Sequence, residues 1–552
     1  MYCYREMRLA LATIIMMLTI MVAGAMGANV YYVDGNVGSS GGGSSWANAF
    51  ETIKEGIDAC NTGSSGGPDL VKVAGSTSGL TYEENIVLDS YITLEGGWDP
   101  GTDTRDPEAY ESIIDGCAAG TVVMIDSKFG VRIDGFTIQN GSAGYYGGGI
   151  YCYYSSATIT NNEITANSAG YGGGGIYCYD SSPTITNNEI TGNSANYGGG
   201  IYCYDNSATI TNNEITANSA DNGGGIFCYY YSSAMITNNE IAGNSATYSG
   251  GGMRCYYYSS PTLINNEITG NSATYSGGGM HCYYYSSPTL TNCTIADNVA
   301  SSGGGMYCND YECEPELLNC ILWGDSPDEI AGDTTNLTVT YSDVEGGWTG
   351  TGNIGKDPLF VPISDAPYYL AHTGAQAANS PCVDAGSGSV SDYGLEGTTT
   401  CTDGREDGED GNDDGDPYTG PIDMGYHYPA KGYSGSGDTY IDLVSFTARP
   451  AGSSVVLDWE TGAEIDNAGF VVYRAVAGTF DYEQISDLIA AEGAPASGAS
   501  YSFIDRDVEP GVSYNYWLVD IDTSGKWTAH GPATARLSLR PVGPRGLHEL
   551  CM

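Results

Sequence analysis

The chain has 552 residues, and 18 Lys and Arg against 67 Asp and Glu leave a formal charge of -49. That balance excludes a nucleic-acid binder, which needs cationic contacts to the phosphate backbone. Gly, at 80 residues, is about twice its usual share, and Tyr at 45 far outnumbers Phe at 9, which favours aromatic rings that keep a hydroxyl at a wet surface.

Residues 1–27 read as an export signal. Arg5 and Arg8 precede an apolar run from Leu9 to Ala23, and Ala25, Met26 and Gly27 form a small-residue cleavage site. The run is shorter than the roughly 20 residues that span a bilayer, and no other stretch approaches that length. The expected protein is therefore secreted, extracellular or at the cell surface, with no transmembrane segment. Residues 28–130 follow as an N-terminal cap and first turns. Trp46, Phe50, Ile53 and Ile57 recur at helical spacing and predict a short amphipathic helix that plugs an open core.

Residues 131–330 repeat. GGGIYCYY at 147–154 returns as GGGIYCYD at 173 and 198, GGGIFCYY at 223, GGGMRCYY at 250, GGGMHCYY at 277 and GGGMYCND at 303. Cys152, Cys178, Cys203, Cys228, Cys255, Cys282 and Cys308 mark a period of 25 to 27 residues, the signature of a solenoid. Alternation within each unit predicts strands, and no segment repeats its apolar residues at helical spacing. Ile150, Ile176, Ile201, Ile226, Met253, Met280 and Met306 are expected as one inward ladder and the cysteines as a second. Asn161, Asn187, Asn212, Asn238, Asn265, Asn292 and Asn319 are expected to stack at a bend, bonding amide to amide in left-handed backbone conformation. With three short strands per turn and Asn and Gly bends, the repeats resemble the right-handed parallel β-helix of the pectin-lyase-like superfamily. KDPLFV at 356–361, SPCVDAG at 380–386 and IDMGYHYP at 422–429 resemble the closing turns of such secreted bacterial proteins, so residues 331–431 read as last turns, C-terminal cap and an acidic loop.

Most of the cysteines read as small buried thiols, since in-register parallel side chains suit disulfide geometry poorly. Cys293 with Cys320 and Cys308 with Cys313 are the better disulfide candidates. Outward positions carry the functional information. Tyr151, Tyr177, Tyr202, Phe227, Arg254, His281 and Tyr307 lie between the inward residues, and Tyr153, Tyr179, Tyr204, Tyr229, Tyr256 and Tyr283 follow the cysteines. Rows of tyrosine suit stacking on sugar rings or another surface, although high strand propensity alone also favours them. Arg254 and His281 interrupt the first row. The resemblance to polysaccharide lyases makes them the catalytic alternative, since such an enzyme needs a base and cationic groups. Glu163, Glu189, Glu214, Glu240 and Glu267 form a further outward row, too uniform in environment for a glycosidase pair.

In the acidic loop 403–416, Asp410, Asn412 and Asp414 precede Gly415 at the spacing of a Ca²⁺ loop, with Asp416 as a further oxygen donor. Pro421 stands where such a loop ends in Glu. Residues 432–440, which begin GYSGSGDT, read as a linker. Residues 441–540 then alternate as strands and resemble a fibronectin type III module, with Trp459 as the buried tryptophan and Tyr514 or Tyr516 as the corner tyrosine. Residues 541–552 are a basic tail. The expected chain is all-β, a right-handed parallel β-helix followed by a fibronectin type III-like sandwich, non-catalytic and binding polysaccharide or a cell-surface glycan. It requires no cofactor, and Ca²⁺ is the ion its acidic loop would take. A polysaccharide lyase or glycoside hydrolase, and a structural surface spacer, are the alternatives.

Overall fold

The computed structural model describes residues 29–60, 68–309, 312–363, 366–371, 380–389, 393, 398–399 and 422–429, then 441–451, 454–464, 467–476, 483–486, 488–491, 499–522 and 527–536. The expected export signal, the loop carrying Asp410, Asn412, Asp414 and Asp416, the linker 432–440 and the tail 541–552 lie outside the described residues. The chain divides into two units, Met1–Ala430 and Lys431–Met552.

Each repeat of the first unit is one turn of a parallel β-solenoid. In the turn that opens at Ile176, the strands Ile176–Tyr179, Thr184–Thr186 and Glu189–Thr191 belong to three different sheets, and Ser194–Tyr197 adds to a short fourth. These sheets hold 10, 13, 11 and 6 strands respectively. Successive turns pair in register, Ile176 with Ile201 and Cys178 with Cys203 for example, so equal repeats become straight ladders. The two-residue alternation sends Ile and Cys into a continuous buried core that also holds Ile185 and Ile190 of the other sheets. The last parallel strand is Asp343–Val344.

The bends follow from the Asn and Gly positions. The seven stacked Asn from Asn161 to Asn319 all have φ between 51° and 56°, as expected. The continuous amide chain, however, belongs to the Asn that follows each of the first five. Asn162, Asn188, Asn213 and Asn239 each donate Nδ2 to the Oδ1 one turn on, at 2.9–3.0 Å. The left-handed residue turns its successor inward, where that side chain bonds strand-end carbonyls, those of Ile133 and Thr160 in the case of Asn162. A second buried ladder runs from Asn167 through Asn193, Asn218, Asn244 and Asn271 to Asn298. Within the GGG run, a Cβ on Gly174 would lie 2.5 Å from the Gly199 carbonyl oxygen, so the turns approach too closely for any side chain.

The ends differ from a simple continuation of the turns. The helix is Ile53–Ala59, capped reciprocally by Thr52 and Glu55, and buries Ile53 and Ile57 against the first turns. Trp46 and Phe50 precede it rather than joining it, because Phe50 bridges to Val33 of the strand Val30–Val33. Beyond Val344 the chain forms an antiparallel hairpin, Phe360–Ile363 with Ala366–Leu370, in place of closing turns. Leu370, Cys382 and Met424 pack on Ile321, and Asn265 exchanges hydrogen bonds with the His427 backbone. The segment caps one flank.

The second unit has two antiparallel sheets. Ile441–Ala451, Ser454–Glu464 and Ser500–Asp505 form one. In the other, Glu483–Gln484, Asn467–Val476, Ser513–Asp522 and Trp527–Arg536 adjoin in that order, with Ile489–Ala490 also on Asn467–Val476. Trp459, Phe470, Val472, Tyr516 and Leu518 share its core. Among the described residues no helix is long and apolar enough to cross a membrane.

Candidate functional site

Strand alternation places the tyrosines opposite the isoleucine and cysteine ladders, on the outside of the 10-stranded sheet. The row from Tyr151 to Tyr307 nevertheless does not face solvent throughout. Tyr177 and Tyr202 are 3% and 1% exposed, and Phe227 is equally covered. Tyrosines from the segment ahead of each GGG lie over them: the Tyr146 ring stacks 4.4 Å from Tyr177, and Tyr197 stacks 5.3 Å from Phe227. The outer surface of the sheet thus carries its own aromatic layer, which also takes in Tyr151, Tyr179, Tyr204, Tyr229 and Tyr256. Burial pushes the Tyr151 phenol up to about 12 and raises Tyr177 and Tyr202 as well.

The row that follows the cysteines is half-buried and continuous. Ring centroids along Tyr153, Tyr179, Tyr204, Tyr229, Tyr256 and Tyr283 are separated by 4.9, 4.8, 5.0, 5.4 and 5.2 Å. All are stacked except Tyr204 with Tyr229, which meet edge to face.

Two further rows were not singled out from the sequence. In CYYY at 228–231, 255–258 and 282–285 the second and third tyrosines occupy consecutive left-handed positions, with φ between 56° and 61°. Each costs about 1–2 kcal/mol relative to ordinary backbone, yet the rings align closely. Tyr230, Tyr257 and Tyr284 stack at 5.3 and 5.0 Å with planes 8° and 4° apart. Tyr231, Tyr258 and Tyr285 stack at 5.1 and 4.8 Å, 8° and 3° apart. Tyr231 and Tyr258 are 45% and 38% exposed, the most open of these rows. The signal was present: these bends hold one residue more than CYDSS at 178 or CYDNS at 203. Rings stacked this closely turn their faces to one another, so edges and hydroxyls point outward.

Arg254 and His281 are in-register neighbours inside the aromatic layer. The guanidinium lies over the rings of Phe227, Tyr256 and Tyr283 and donates to Asn222 Oδ1. His281 is buried beside Tyr307. Arg254 Nε and His281 Nδ1 have no hydrogen-bond partner. Burial holds Arg254 down to about 10, and burial with the Arg254 charge keeps His281 well below its ordinary value. His281 is therefore neutral at pH 7.

Glu163 to Glu267 stack in register as expected. Glu189, Glu214 and Glu240 are exposed, whereas Glu267 is buried near Tyr368 of the capping hairpin. Burial, then the neighbouring glutamate, raises Glu163, Glu214 and Glu240. Among the described residues no three His, Cys, Asp or Glu side chains converge to hold a metal. Cys293, Cys320 and Cys308 are free thiols, so neither expected disulfide forms. Cys293 and Cys320 follow stacked Asn on successive turns, where parallel side chains suit the disulfide dihedral poorly.

Residues 174–344 match the family model described as right handed beta helix region. No curated protein matches the chain. The matched segment and the stacked parallel turns together support a right-handed β-helix over the repeats.

Proposed function

We propose that the protein is a secreted or cell-surface, non-catalytic β-helix that binds polysaccharide, or a glycan-bearing surface, through its tyrosine rows. The carrying observation is the pair of bend rows, Tyr230–Tyr257–Tyr284 and Tyr231–Tyr258–Tyr285, held in left-handed backbone that folding alone would avoid. Stacked rings hide their faces, so contact runs through a hydroxyl-tipped edge with one contact per turn. Many weak, equivalent contacts along one axis add up by avidity. Tyr153, Tyr179, Tyr204, Tyr229, Tyr256 and Tyr283 extend that edge, while Tyr177 and Tyr202 support it from below. The C-terminal unit serves as a fibronectin type III-like spacer. The strand order of its sheets, buried Trp459, and the Tyr514 hydroxyl that accepts from the Glu509 backbone N–H at 3.2 Å support that assignment. Export by residues 1–27 and Ca²⁺ held by Asp410, Asn412, Asp414 and Asp416 are parts of the same proposal.

The test is an array of neutral and acidic polysaccharides with and without Ca²⁺, reading retention and new chain ends together. Retention without new ends, lost in a Tyr231→Ala, Tyr258→Ala, Tyr285→Ala triple variant, supports this reading. A lyase or hydrolase centred on Arg254 and His281 is the second reading, favoured by their unpartnered nitrogens. New ends that vanish with Arg254→Ala would establish it and remove the first. Neither retention nor new ends would leave a surface spacer.

A further inference from the structure

The outer face of the 13-stranded sheet differs from the rest of the chain. Its repeats read Ser-x-Thr-x-Thr, and alternation turns the second x, Ile159, Ile185, Ile210 and Ile236 for example, into the core. Six successive turns therefore present three outward columns, which begin at Ser156, Thr158 and Thr160 and end at Ser287, Thr289 and Thr291. Thr158 pairs in register with Thr184 and that with Thr209, as Thr160 does with Thr186 and Thr211. Sixteen of the eighteen positions are Ser or Thr, and the other two, Met235 and Ile264, are uncharged. A chain of charge -49 thus keeps these six turns free of charge and of aromatic rings on this face, with Arg132 and Asp134 in register before them and Glu316 after. Thr184 and Thr209 are exposed and Thr186, Thr211 and Thr237 half-buried, while the corner residues Thr160 and Thr291 are buried. Among the described residues none of these threonine hydroxyls bonds to another protein group, whereas Thr191 and Thr216 of the neighbouring sheet bond to each other at 3.2 Å.

Paired strands lie about 4.8 Å apart and a parallel strand rises about 3.3 Å per residue, so the columns stand about 6.6 Å apart and the array covers about 24 by 13 Å. β-branching restricts χ1 of threonine, so hydroxyl and methyl stand at fixed points of that grid. A hydroxyl both donates and accepts, as a water molecule does. Water over the intervening methyls loses orientational freedom. Such a grid matches a ligand that repeats in two dimensions, carries no charge and hydrogen-bonds in both senses. The oxygen rows of ice repeat at spacings close to these two. A charged side chain would interrupt that lattice by holding its own hydration shell, and the array has none. A single glycan chain repeats in one dimension and would leave most of the grid uncovered.

We propose that the Ser-x-Thr-x-Thr face binds ice, adsorbing to the surface of a growing crystal through its grid of hydroxyls and methyls. This face is separate from the tyrosine rows, which follow the 10-stranded sheet. Each hydroxyl takes the place of a lattice water, and the methyls fill the spaces between. An ice front held at many such anchored molecules can advance only as a curved surface between them, so growth stops until the solution is cooled further below the melting point.

The experiment freezes a dilute solution of the full chain slowly on a cold finger and compares its concentration in ice and in liquid. The gap between the melting and freezing points of a single ice crystal is read beside it. The native protein is expected to be enriched in the ice and to open a gap. Thr184→Lys with Thr209→Lys places two charges in the middle column and is expected to move the protein into the liquid and close the gap. Glu189→Lys, the same new charge on the exposed row of the adjoining sheet, is expected to leave both readings unchanged. If circular dichroism shows the double variant unfolded, Thr209→Lys alone is expected to narrow the gap. Exclusion of the native protein from ice without a gap overturns the proposal, as does enrichment that the threonine variants leave unchanged or that Glu189→Lys abolishes equally. Retention of the native protein on crystalline cellulose, lost with Thr209→Lys and without enrichment in ice, overturns it in favour of a crystalline polysaccharide.

Discussion

Removing one amide from the inner asparagine ladder is the sharpest test of what fixes the rise of the turns. Asn218 Oδ1 accepts from the Asn193 backbone N–H at 3.0 Å and from Asn193 Nδ2 at 3.0 Å. Its own Nδ2 donates to the Ile190 carbonyl at 2.7 Å and to Asn244 Oδ1 at 3.1 Å. In Asn218→Ala, Asn193 Nδ2 keeps the carbonyls of Ile164 and Thr191. The Asn193 N–H and the Ile190 carbonyl lose these partners in a site closed to water. At about 1–3 kcal/mol for each of the two buried groups left unmade, the loss is about 2–6 kcal/mol. Denaturant unfolding followed by tyrosine fluorescence measures the total, and amide hydrogen exchange locates it. A solenoid turn contacts only its neighbours, so faster exchange is expected in the turns that hold Asn193, Asn218 and Asn244 and not at Ile114 or Leu322. Thr184→Ala, an exposed change on the adjoining sheet, is the control and is expected within about 0.5 kcal/mol of the parent. A loss for Asn218→Ala no larger than the control, or exchange that rises evenly along the chain, would refute the reasoning.

Gly174→Ala is expected to cost at least about 2 kcal/mol because its Cβ meets backbone oxygens of Gly199 and Ser194, whereas Gly144→Ala, with open space around it, is expected to be neutral or slightly stabilising in thermal unfolding. Asp325 ends the second amide ladder, accepting from Asn298, and burial and the adjacent Glu329 carboxylate raise its carboxyl, while burial pushes Glu329 up to about 7 from 4.5. The stabilisation from a raised carboxyl is present below its unfolded value and lost as pH rises through about 7, by at most about 3 kcal/mol, and Glu329→Gln is expected to flatten that limb in denaturant titrations across pH 5–8. His281 works in the opposite direction: its depressed value means stability present above its ordinary value of 6.5 and lost as pH falls below it, and His281→Tyr, matching its neighbour Tyr307 in the row, is expected to remove that acid limb.

The core was legible in the sequence because a period of 25 to 27 residues and two-residue alternation leave one way to stack the turns. Ile, Cys and the left-handed Asn stand where that pattern put them. What escaped was set by a single residue of offset. Asn161 and Asn162 are identical letters, and only the backbone at the first decides that the second points inward. The surface rows were misjudged for a related reason. Alternation says that Tyr177 faces away from the core, but not that Tyr146 of the preceding loop lies over it. The capping hairpin was harder still, because residues after 344 no longer repeat and nothing periodic marks where parallel pairing stops.

The repeats are nearly interchangeable inside and graded outside, and that contrast bears on what the molecule can recognise. Ile and Cys keep their places through the repeat, with Met replacing Ile from Met253 on, while the bend changes from Asp180 and Asp205 to paired tyrosines at 230–231, 257–258 and 284–285. Acidic bends repel a polyanion and hydrogen-bond a neutral polyol, whereas the tyrosine bends add aromatic edges without charge. A periodic ligand lying along the axis would thus meet two different stretches of one continuous edge. Its affinity should depend on length in steps, rising as each further turn is engaged and reaching a limit once the row from Tyr153 to Tyr285 is covered. Oligosaccharides of increasing length, measured by calorimetry, provide the check. A Kd independent of length would mean a single local site, and the rows would then be a structural layer and not a recognition surface.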